Sequence, residues 1–283
     1  MSFSTLVSSA QLTRHLDDPD WIVFDCRHSL TQAGWGKRAY DEMHIPGAFF
    51  LDLDADLSAT PNGNNGKHPL PDPEDFAIKL SAVGLDAGKQ AVAYDDAGAT
   101  FAARLWWMLR WLGHERVAVL DGGWRKWLRE DLPVKATPSA PKPARFVARA
   151  DPSRYVDVGF IERNLNATQY CLIDARSPQR FLGIGETLHP VAGHIPGARN
   201  RYFQDNLDAA SCFKPAAQLR VAFDEVRKGI APENIVHQCG SGVSACQNLL
   251  AMEIAGLSGS KLYPGSWSEW CADPKRPIVA PQA

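Results

Sequence analysis

The same short motifs occur twice along this chain, in the same order. In each half an Asp-x-Arg triplet is followed, after a similar interval, by the segment His-Ile-Pro-Gly-Ala. The triplets are Asp25–Arg27 and Asp174–Arg176, and the later segments are His44–Ala48 and His194–Ala198. The repeat period of roughly 145 residues is far longer than the period of a solenoid. The sequence therefore predicts one domain that has been duplicated.

Each half also alternates short apolar runs with helical patterns. The apolar runs predict strands at Ile22–Phe24, Val92–Tyr94, Val117–Leu120, Cys171–Ile173, Ile235–His237 and Lys261–Tyr263. Continuous apolar strands are typical of a parallel sheet that is covered on both faces. Helices are predicted at Asp72–Val83, Thr100–Leu112, Pro215–Lys228 and Val243–Ala255. This alternation predicts an α/β fold: two tandem domains, each a central, mainly parallel sheet flanked by helices.

A proline-rich stretch separates the two copies. Proline at this density excludes a helix or a central strand and favours an extended, semi-rigid tether. We expect an N-terminal domain over residues 1–135, a linker over 136–153 and a C-terminal domain over 154–283. The prolines of this linker are Pro138, Pro141, Pro143 and Pro152.

The charge balance limits the partners. The chain has 30 Lys and Arg against 32 Asp and Glu, a formal net charge of -2, with no dense basic cluster. Nothing here would attract nucleic acid or an anionic membrane, so we expect small molecules or other proteins as partners. No apolar run approaches the roughly 20 residues that span a bilayer. The N-terminal residues show no secretory pattern, so a cytoplasmic location is expected.

Six cysteines are present, and none forms a C-x-x-C pair or a Cys/His grouping with zinc spacing. We therefore expect free thiols and no metal site. Cys239 stands apart, because an apolar strand runs into it, two glycines follow and a helix is predicted from about Val243. Gly240 and Gly242 can adopt positive φ, which would turn successive N–H groups inward as an anion nest. Together with the helix N-terminus, this nest would stabilise a nucleophilic thiolate.

Two other interpretations of this loop compete with a reactive thiolate. A lone cysteine at a strand end is often a small buried apolar residue, and the other five cysteines keep that interpretation. A cysteine phosphatase also uses a strand–loop–helix cradle, but it needs an arginine six residues after the cysteine to bind phosphate. Ala245 occupies that position, and residues 240–244 carry no charge.

The tandem copies, the paired His-Ile-Pro-Gly-Ala segments and the loop Cys-Gly-Ser-Gly-Val-Ser resemble the rhodanese superfamily. Within it, C-G-[ST]-G-V-T loops are similar to those of 3-mercaptopyruvate sulfurtransferases, whereas thiosulfate-specific members tend to carry basic loop residues. Ser244 stands where the family usually has threonine. The resemblance implies a sulfurtransferase without metal or organic cofactor, in which only the C-terminal copy is catalytic. Asp95, which occupies the place of Cys239 in the first copy, agrees with this, because a carboxylate cannot carry sulfur.

The resemblance also assigns roles. It implies that Cys239 is the nucleophile and persulfide carrier, and that Ser241 bonds the substrate or relays a proton. Arg180 resembles the arginine that binds the substrate carboxylate. Asp54 and His68 resemble a pair from the first copy that orients and supplies a proton donor.

The rest of the substrate site is implied to come from the loop itself, through Gly240, Gly242, Val243 and Ser244. The family has a second substrate arginine, but residues 183–190 hold none and appear shortened. The expected substitute is His189.

The implied reaction moves sulfur from 3-mercaptopyruvate to a thiol acceptor such as thioredoxin, or to cyanide, and releases pyruvate. Two alternatives remain open at this point. The donor could be thiosulfate, or the chain could be a non-catalytic sulfur-relay or binding module.

Overall fold

The computed structural model describes residues 2–280, which form two compact units. Unit 1 contains the residues up to Ala59, Leu70–Asp151 and Leu207–Phe213. Unit 2 contains Thr60–Pro69, Pro152–Asn206 and the residues from Lys214 onward. Each unit thus includes a short segment from the other half of the sequence. Within residues 2–280, no helix has the length and apolar character needed to cross a membrane.

Unit 1 is built on a five-stranded sheet in which every pair of neighbours is parallel, in the order β1-β5-β4-β2-β3. The central strands are buried on both faces, which explains their continuous apolar sequences. The strands are β1 (Leu6–Val7), β2 (Trp21–Asp25), β3 (Ala48–Phe50), β4 (Gln90–Tyr94) and β5 (Val117–Leu120). The helices are α1 (Ser9–Thr13), α2 (Trp35–Glu42), α3 (Pro73–Ala82), α4 (Ala102–Trp111) and α5 (Gly123–Arg129).

Unit 2 has a four-stranded parallel sheet in the order β7-β6-β8-β9. Its strands are β6 (Cys171–Asp174), β7 (Arg199–Asn200), β8 (Ile235–Gln238) and β9 (Lys261–Leu262). Its helices are α6 (Val158–Asn164), α7 (Pro178–Phe181), α8 (Ala216–Arg227), α9 (Ala245–Ile254) and α10 (Ser266–Trp270). Tyr155 forms a parallel bridge with Leu262, so it lies beside β9 as β1 lies beside β5. The two sheets therefore share one topology, and the predicted duplicated α/β fold is confirmed.

A buried ion pair anchors the same point in both units. Arg27 Nη2 donates to Asp25 Oδ2 at 2.6 Å, and Arg176 Nη2 donates to Asp174 Oδ2 at 2.7 Å. Each guanidinium also donates to the carbonyl just before the His-Ile-Pro-Gly-Ala segment, Met43 O at 2.6 Å in one unit and Gly193 O at 2.9 Å in the other. The repeated triplet therefore fixes the segment that leads into β3 in unit 1 and into β7 in unit 2.

The predicted long elements are present with small shifts at their ends. The helix predicted from Val243 begins at Ala245. The helix predicted over Pro215–Lys228 spans Ala216–Arg227, because Lys228 adopts φ 51° and ends it one residue early. The sequence did not indicate β1, β3 or β7, because runs of two or three residues carry no measurable periodicity.

Residues 136–151, the predicted linker up to Asp151, contain no helix or strand and belong to unit 1, where they are hydrogen-bonded to other parts of the unit. Ala144 N donates to Ser81 O and Arg149 N to Leu112 O, both at 2.9 Å. The boundaries near residues 135 and 153 stay a prediction.

The start of α3 gives a test of the local structure. Asp72 caps this helix, since its carboxylate accepts from Glu74 N at 2.8 Å and Asp75 N at 3.1 Å. We expect Asp72→Ala to lower the free energy of unfolding by about 1 kcal/mol, because two helix N–H groups lose their acceptor. Urea denaturation measures this. Asp72→Asn keeps an acceptor and should remain close to the parent, and equal loss in both variants would exclude capping as the cause.

Candidate active site

Cys239 lies at the carboxyl end of β8, one of the two central strands of unit 2. Only 2% of the residue is exposed. Residues 240–244 turn away from the strand and lead into α9. This end of a parallel sheet is where α/β folds bind their ligands.

The first turn of α10 holds the loop from behind. Trp267 N donates to Cys239 O at 3.0 Å, and Ser268 N donates to Gly240 O at 2.9 Å. Ser266 Oγ accepts from Cys239 N at 3.2 Å and donates to Tyr263 O at 2.9 Å. Ser266 is fully buried and adopts φ 53°, a left-handed conformation that is uncommon for serine. Its side chain therefore fixes the main chain of Cys239.

The two loop glycines have different surroundings. Gly242 adopts φ 77°, and a β-carbon there would lie 2.2 Å from Pro264 O, so this position requires glycine. Gly240 does not adopt positive φ, so the expectation that both glycines would do so is wrong. A β-carbon on Gly240 would instead lie 3.1 Å from His189 Cε1 and 3.4 Å from Arg180 Nη2. Two side-chain ends thus limit the space beside Gly240 without closing it.

The corresponding loop of unit 1 shows what this turn does with an anion. Asp95 occupies the place of Cys239, is buried, and its carboxylate accepts four backbone N–H bonds. The donors are Ala97 and Ala99, each at 2.9 Å, Phe101 at 2.7 Å and Ala102 at 2.8 Å. The turn therefore directs several amides at the first residue of the loop.

In unit 2 the loop amides are not used in this way. Among the residues that the structure describes, the N–H groups of Ser241, Val243 and Ser244 donate to no protein atom. N–H groups that have no protein acceptor are available to a ligand.

His68 reaches this loop as part of unit 2. Its Nδ1 lies 2.8 Å from Ser241 Oγ, within hydrogen-bond distance. Lys67 N donates to Ser268 Oγ at 3.0 Å, which fixes the backbone beside His68. The structure thus brings together two of the predicted residues, His68 and Ser241.

Asp54 lies in unit 1 and is 67% exposed. Its carboxylate is 3.9 Å from His28 Nε2, and its N–H donates to Asp52 Oδ1 at 2.9 Å. His28, Asp52 and Asp54 each bring a potential metal ligand atom within 4.8 Å of the others, although exposed acidic groups commonly cluster without an ion. The pairing of Asp54 with His68 stays a prediction.

Arg180 and His189, both predicted from the sequence, lie beside Gly240 together with an acid that was not predicted. Arg180 Nε donates to Glu186 Oε2 at 3.1 Å, and Nη2 donates to Oε1 at 3.2 Å. His189 Nδ1 lies 3.1 Å from Arg180 Nη2 and 3.5 Å from Glu186 Oε1. Glu186 was not predicted, because the family resemblance draws attention only to the missing arginine in residues 183–190. The one signal in the sequence is its position six residues after Arg180, which is compatible with an ion pair between the two.

The protonation states in this cluster follow from its burial. Burial lowers the pKa of His189 to about 4, against the opposing effect of Glu186, so the imidazole is neutral at pH 7. Its side chain is 4% exposed, and its Nε2 has no hydrogen-bond partner among residues 2–280. Burial raises the pKa of Glu186, but the bond from Leu188 N–H and the charge of Arg180 outweigh this and hold it below its usual value. Glu186 is therefore a carboxylate.

The remaining thiols give no sign of reactivity. Burial raises the pKa of four of them: Cys26, Cys171, Cys212 and Cys271. Cys246 is buried in α9, where its Sγ lies 3.4 Å from Gly242 O. A protonated thiol is a poor nucleophile, so these four cysteines have no support for a reactive role. Cys239 is the candidate because it begins the loop in which the N–H groups of Ser241, Val243 and Ser244 have no acceptor among the described residues.

The loop, its two-copy setting and the cluster beside it can be compared with known proteins. The sequence model of the family described as "Rhodanese-like domain" matches residues 8–130 and 158–273. The chain belongs to this family. The rhodanese resemblance predicted from the motifs is thereby confirmed.

Among members of the rhodanese-like domain family, the chain is 44% identical over 281 residues to a probable 3-mercaptopyruvate sulfurtransferase of Pseudomonas aeruginosa, covering 99% of each chain. It is 34% identical over 257 residues to a thiosulfate sulfurtransferase of Mus musculus, covering 89% of this chain and 85% of the other. A crystal structure of a 3-mercaptopyruvate sulfotransferase from Escherichia coli is similar, with a TM-score of 0.82 and 32% identity. The match covers 94% of this chain and 99% of that one.

The two loop glycines allow a contrast. Gly242→Ala should lower the free energy of unfolding by more than about 2 kcal/mol, because it combines a left-handed φ with a clash against fixed main chain. Gly240→Ala meets only the ends of two side chains and should cost less than about 1 kcal/mol. Urea denaturation of both variants measures this, and a reversed order would contradict the account.

The neutral state of His189 predicts a pH dependence. Its pKa is lowered from 6.5 to about 4 by folding, so the unfolded chain binds more protons between these values. The free energy of unfolding should therefore fall as the pH drops through this window. His189→Gln removes the titrating group and should make this fall shallower in urea denaturation at a series of pH values. An unchanged slope would show that His189 is not neutral in the folded protein.

Proposed function

We propose that the chain is a sulfurtransferase that moves sulfur from 3-mercaptopyruvate to a thiol acceptor through a persulfide on Cys239. The observation that supports this most directly is that the N–H groups of Ser241, Val243 and Ser244, in the loop that follows that thiol, donate to no protein atom among the described residues. An extra sulfur on Cys239 would supply the acceptor that these amides lack. The 44% identity to a protein with the name probable 3-mercaptopyruvate sulfurtransferase, over 99% of both chains, supports the same reaction.

In the first step, the Cys239 thiolate attacks the sulfur of 3-mercaptopyruvate. A sulfur–sulfur bond forms, the carbon–sulfur bond of the donor breaks, and its electron pair leaves as the enolate of pyruvate. The enolate takes a proton and is released as pyruvate, while Cys239 holds the persulfide. This is covalent catalysis by an activated nucleophile.

The protonation is assigned to His68 and Ser241. Their 2.8 Å contact forms a path by which a proton could reach the enolate carbon that leaves the transferred sulfur. Histidine suits this role because its ordinary pKa lies near neutrality. Asp54 is proposed to support His68, as the family resemblance implies.

The carboxylate of the donor is assigned to Arg180. Glu186 and His189 engage its Nε and Nη2, and Nη1 makes no hydrogen bond with the described residues. His189 Nε2 is a second donor, since the neutral imidazole can carry its proton there. The main chain of Gly240, Gly242, Val243 and Ser244 would enclose the transferred sulfur.

In the second step, an acceptor thiolate attacks the outer sulfur, forms a new persulfide and releases the Cys239 thiolate. A reduced protein thiol such as that of thioredoxin fits this step, and cyanide would form thiocyanate in its place. We further propose a cytoplasmic setting, because that compartment keeps acceptor thiols reduced.

Thiosulfate is the second candidate donor, since a thiosulfate sulfurtransferase of Mus musculus is 34% identical. The loop argues against it as the preferred donor, because residues 240–244 offer no positive side chain to a dianion. A phosphatase activity is not proposed, because this chain has Ala245 where a cysteine phosphatase needs its phosphate-binding arginine.

Intact-protein mass after exposure to 3-mercaptopyruvate tests the proposal. Wild type should gain the mass of one sulfur atom and release one pyruvate per chain, because no acceptor is present to clear the persulfide. Cyanide should then remove the added mass. Cys239→Ser should gain nothing, and the control Cys246→Ser, seven residues further on, should behave as wild type.

Retained sulfur transfer in Cys239→Ser would refute the role of this residue. Absence of any added sulfur or pyruvate with wild type, on either 3-mercaptopyruvate or thiosulfate, would instead favour a non-catalytic relay or binding module.

A further inference from the structure

Two ion pairs with no net charge lie beside the Cys239 loop, together with the exposed Lys67. Asp174 and Arg176 form a closed ion pair, and both are buried. Arg180 and Glu186 form a second pair at 3.0 Å, in which Glu186 is 1% exposed and Arg180 is 25% exposed. His189 is neutral and packs against this second pair. The cation that reaches Gly240 therefore meets its counter-charge inside the protein.

Glu186 is the centre of this arrangement. It lies 3.0 Å from Arg180, 3.5 Å from His189 Nδ1 and 3.7 Å from Arg176 Nη1. Leu188 N donates to its Oε1 at 2.8 Å, which fixes the carboxylate at the end of the turn. Lys67, whose Nζ donates to Leu188 O, is the other charged side chain at this turn, and it is exposed to solvent.

We infer that Glu186 is a specificity-determining residue, which favours singly charged α-keto carboxylate donors over the doubly charged thiosulfate by cancelling most of the charge of Arg180. This inference rests on the proposed sulfur transfer and extends it, because it adds a side-chain basis for donor choice to the uncharged loop.

The physical reason is that the interaction of a ligand with a fixed charge is proportional to the charge of the ligand. Mercaptopyruvate carries one negative charge on a compact carboxylate, and Arg180 Nη1 with His189 Nε2 can serve it by directional hydrogen bonds. Thiosulfate carries two charges and needs net positive potential, which Glu186 removes. A buried carboxylate exerts this effect with less screening than a surface one.

The substitution Glu186→Gln separates charge from shape. The glutamine amide oxygen can still accept from Leu188 N–H and from Arg180, so the turn keeps its bonds while one negative charge is lost. We expect the KM for thiosulfate to fall roughly tenfold and the KM for mercaptopyruvate roughly threefold, since the effect on the logarithm scales with ligand charge.

Two further variants exclude a purely structural effect. Glu186→Asp keeps the charge and should leave the ratio of the two KM values near that of wild type. Glu162→Gln serves as a matched control, because Glu162 pairs with Arg276 at 2.8 Å outside the site and should leave both KM values unchanged. Equal changes for the two donors in Glu186→Gln, or the same shift in Glu186→Asp, would overturn the inference.

A binding measurement keeps this test apart from the proposed reaction. In the Cys239→Ser background, calorimetry with pyruvate and with thiosulfate should show that Glu186→Gln tightens the dianion more than the monoanion. If wild type turns over neither donor but this ordering of affinities holds, the proposed reaction fails and the role of Glu186 stands. If turnover is seen and the ordering is absent, the role of Glu186 fails alone.

Discussion

The turn after a central strand, which aims main-chain N–H groups at its own first residue, is the feature on which the site depends. Unit 1 shows its strength, because four such groups converge on the buried carboxylate of Asp95. Burial raises the pKa of Asp95 to about 6, and the hydrogen bonds from the loop oppose this rise. In unit 2 the first residue is Cys239, and among the described residues the N–H groups of Ser241, Val243 and Ser244 have no acceptor. The same backbone turn thus has its N–H groups occupied by a carboxylate in one copy, and we propose that it receives a sulfur carried by Cys239 in the other.

The parts of the fold that depend on local pattern could be predicted from the sequence. The repeated Asp-x-Arg and His-Ile-Pro-Gly-Ala segments identified the duplication. In both units the arginine binds the aspartate at the end of a strand and the carbonyl that precedes the second segment. Continuous apolar runs located the central strands, and Cys239 stood out because glycines separate it from a helix. That the cysteines on other elements are unreactive stays a prediction, which is supported by the burial that raises the pKa of four of them.

The remaining features depend on tertiary contacts that leave no periodic signal. Glu186 and His189 lie on a turn with no regular secondary structure. Only the folded chain brings this turn next to Gly240. The same holds for Gly240, because the space for a β-carbon at this position is limited by neighbouring side chains and not by the φ of the residue. The inclusion of residues 60–69 in unit 2 could not be predicted from a polar, glycine-rich stretch, although the resemblance did single out His68.

We propose that the loop amides receive a sulfur carried by Cys239, and a crystal structure of the protein after reaction with 3-mercaptopyruvate would show whether they do. We expect one extra sulfur atom on Cys239, in hydrogen-bond contact with the N–H groups of Ser241 and Val243. An extra sulfur that points away from these amides, or one that resides on a different cysteine, would contradict it.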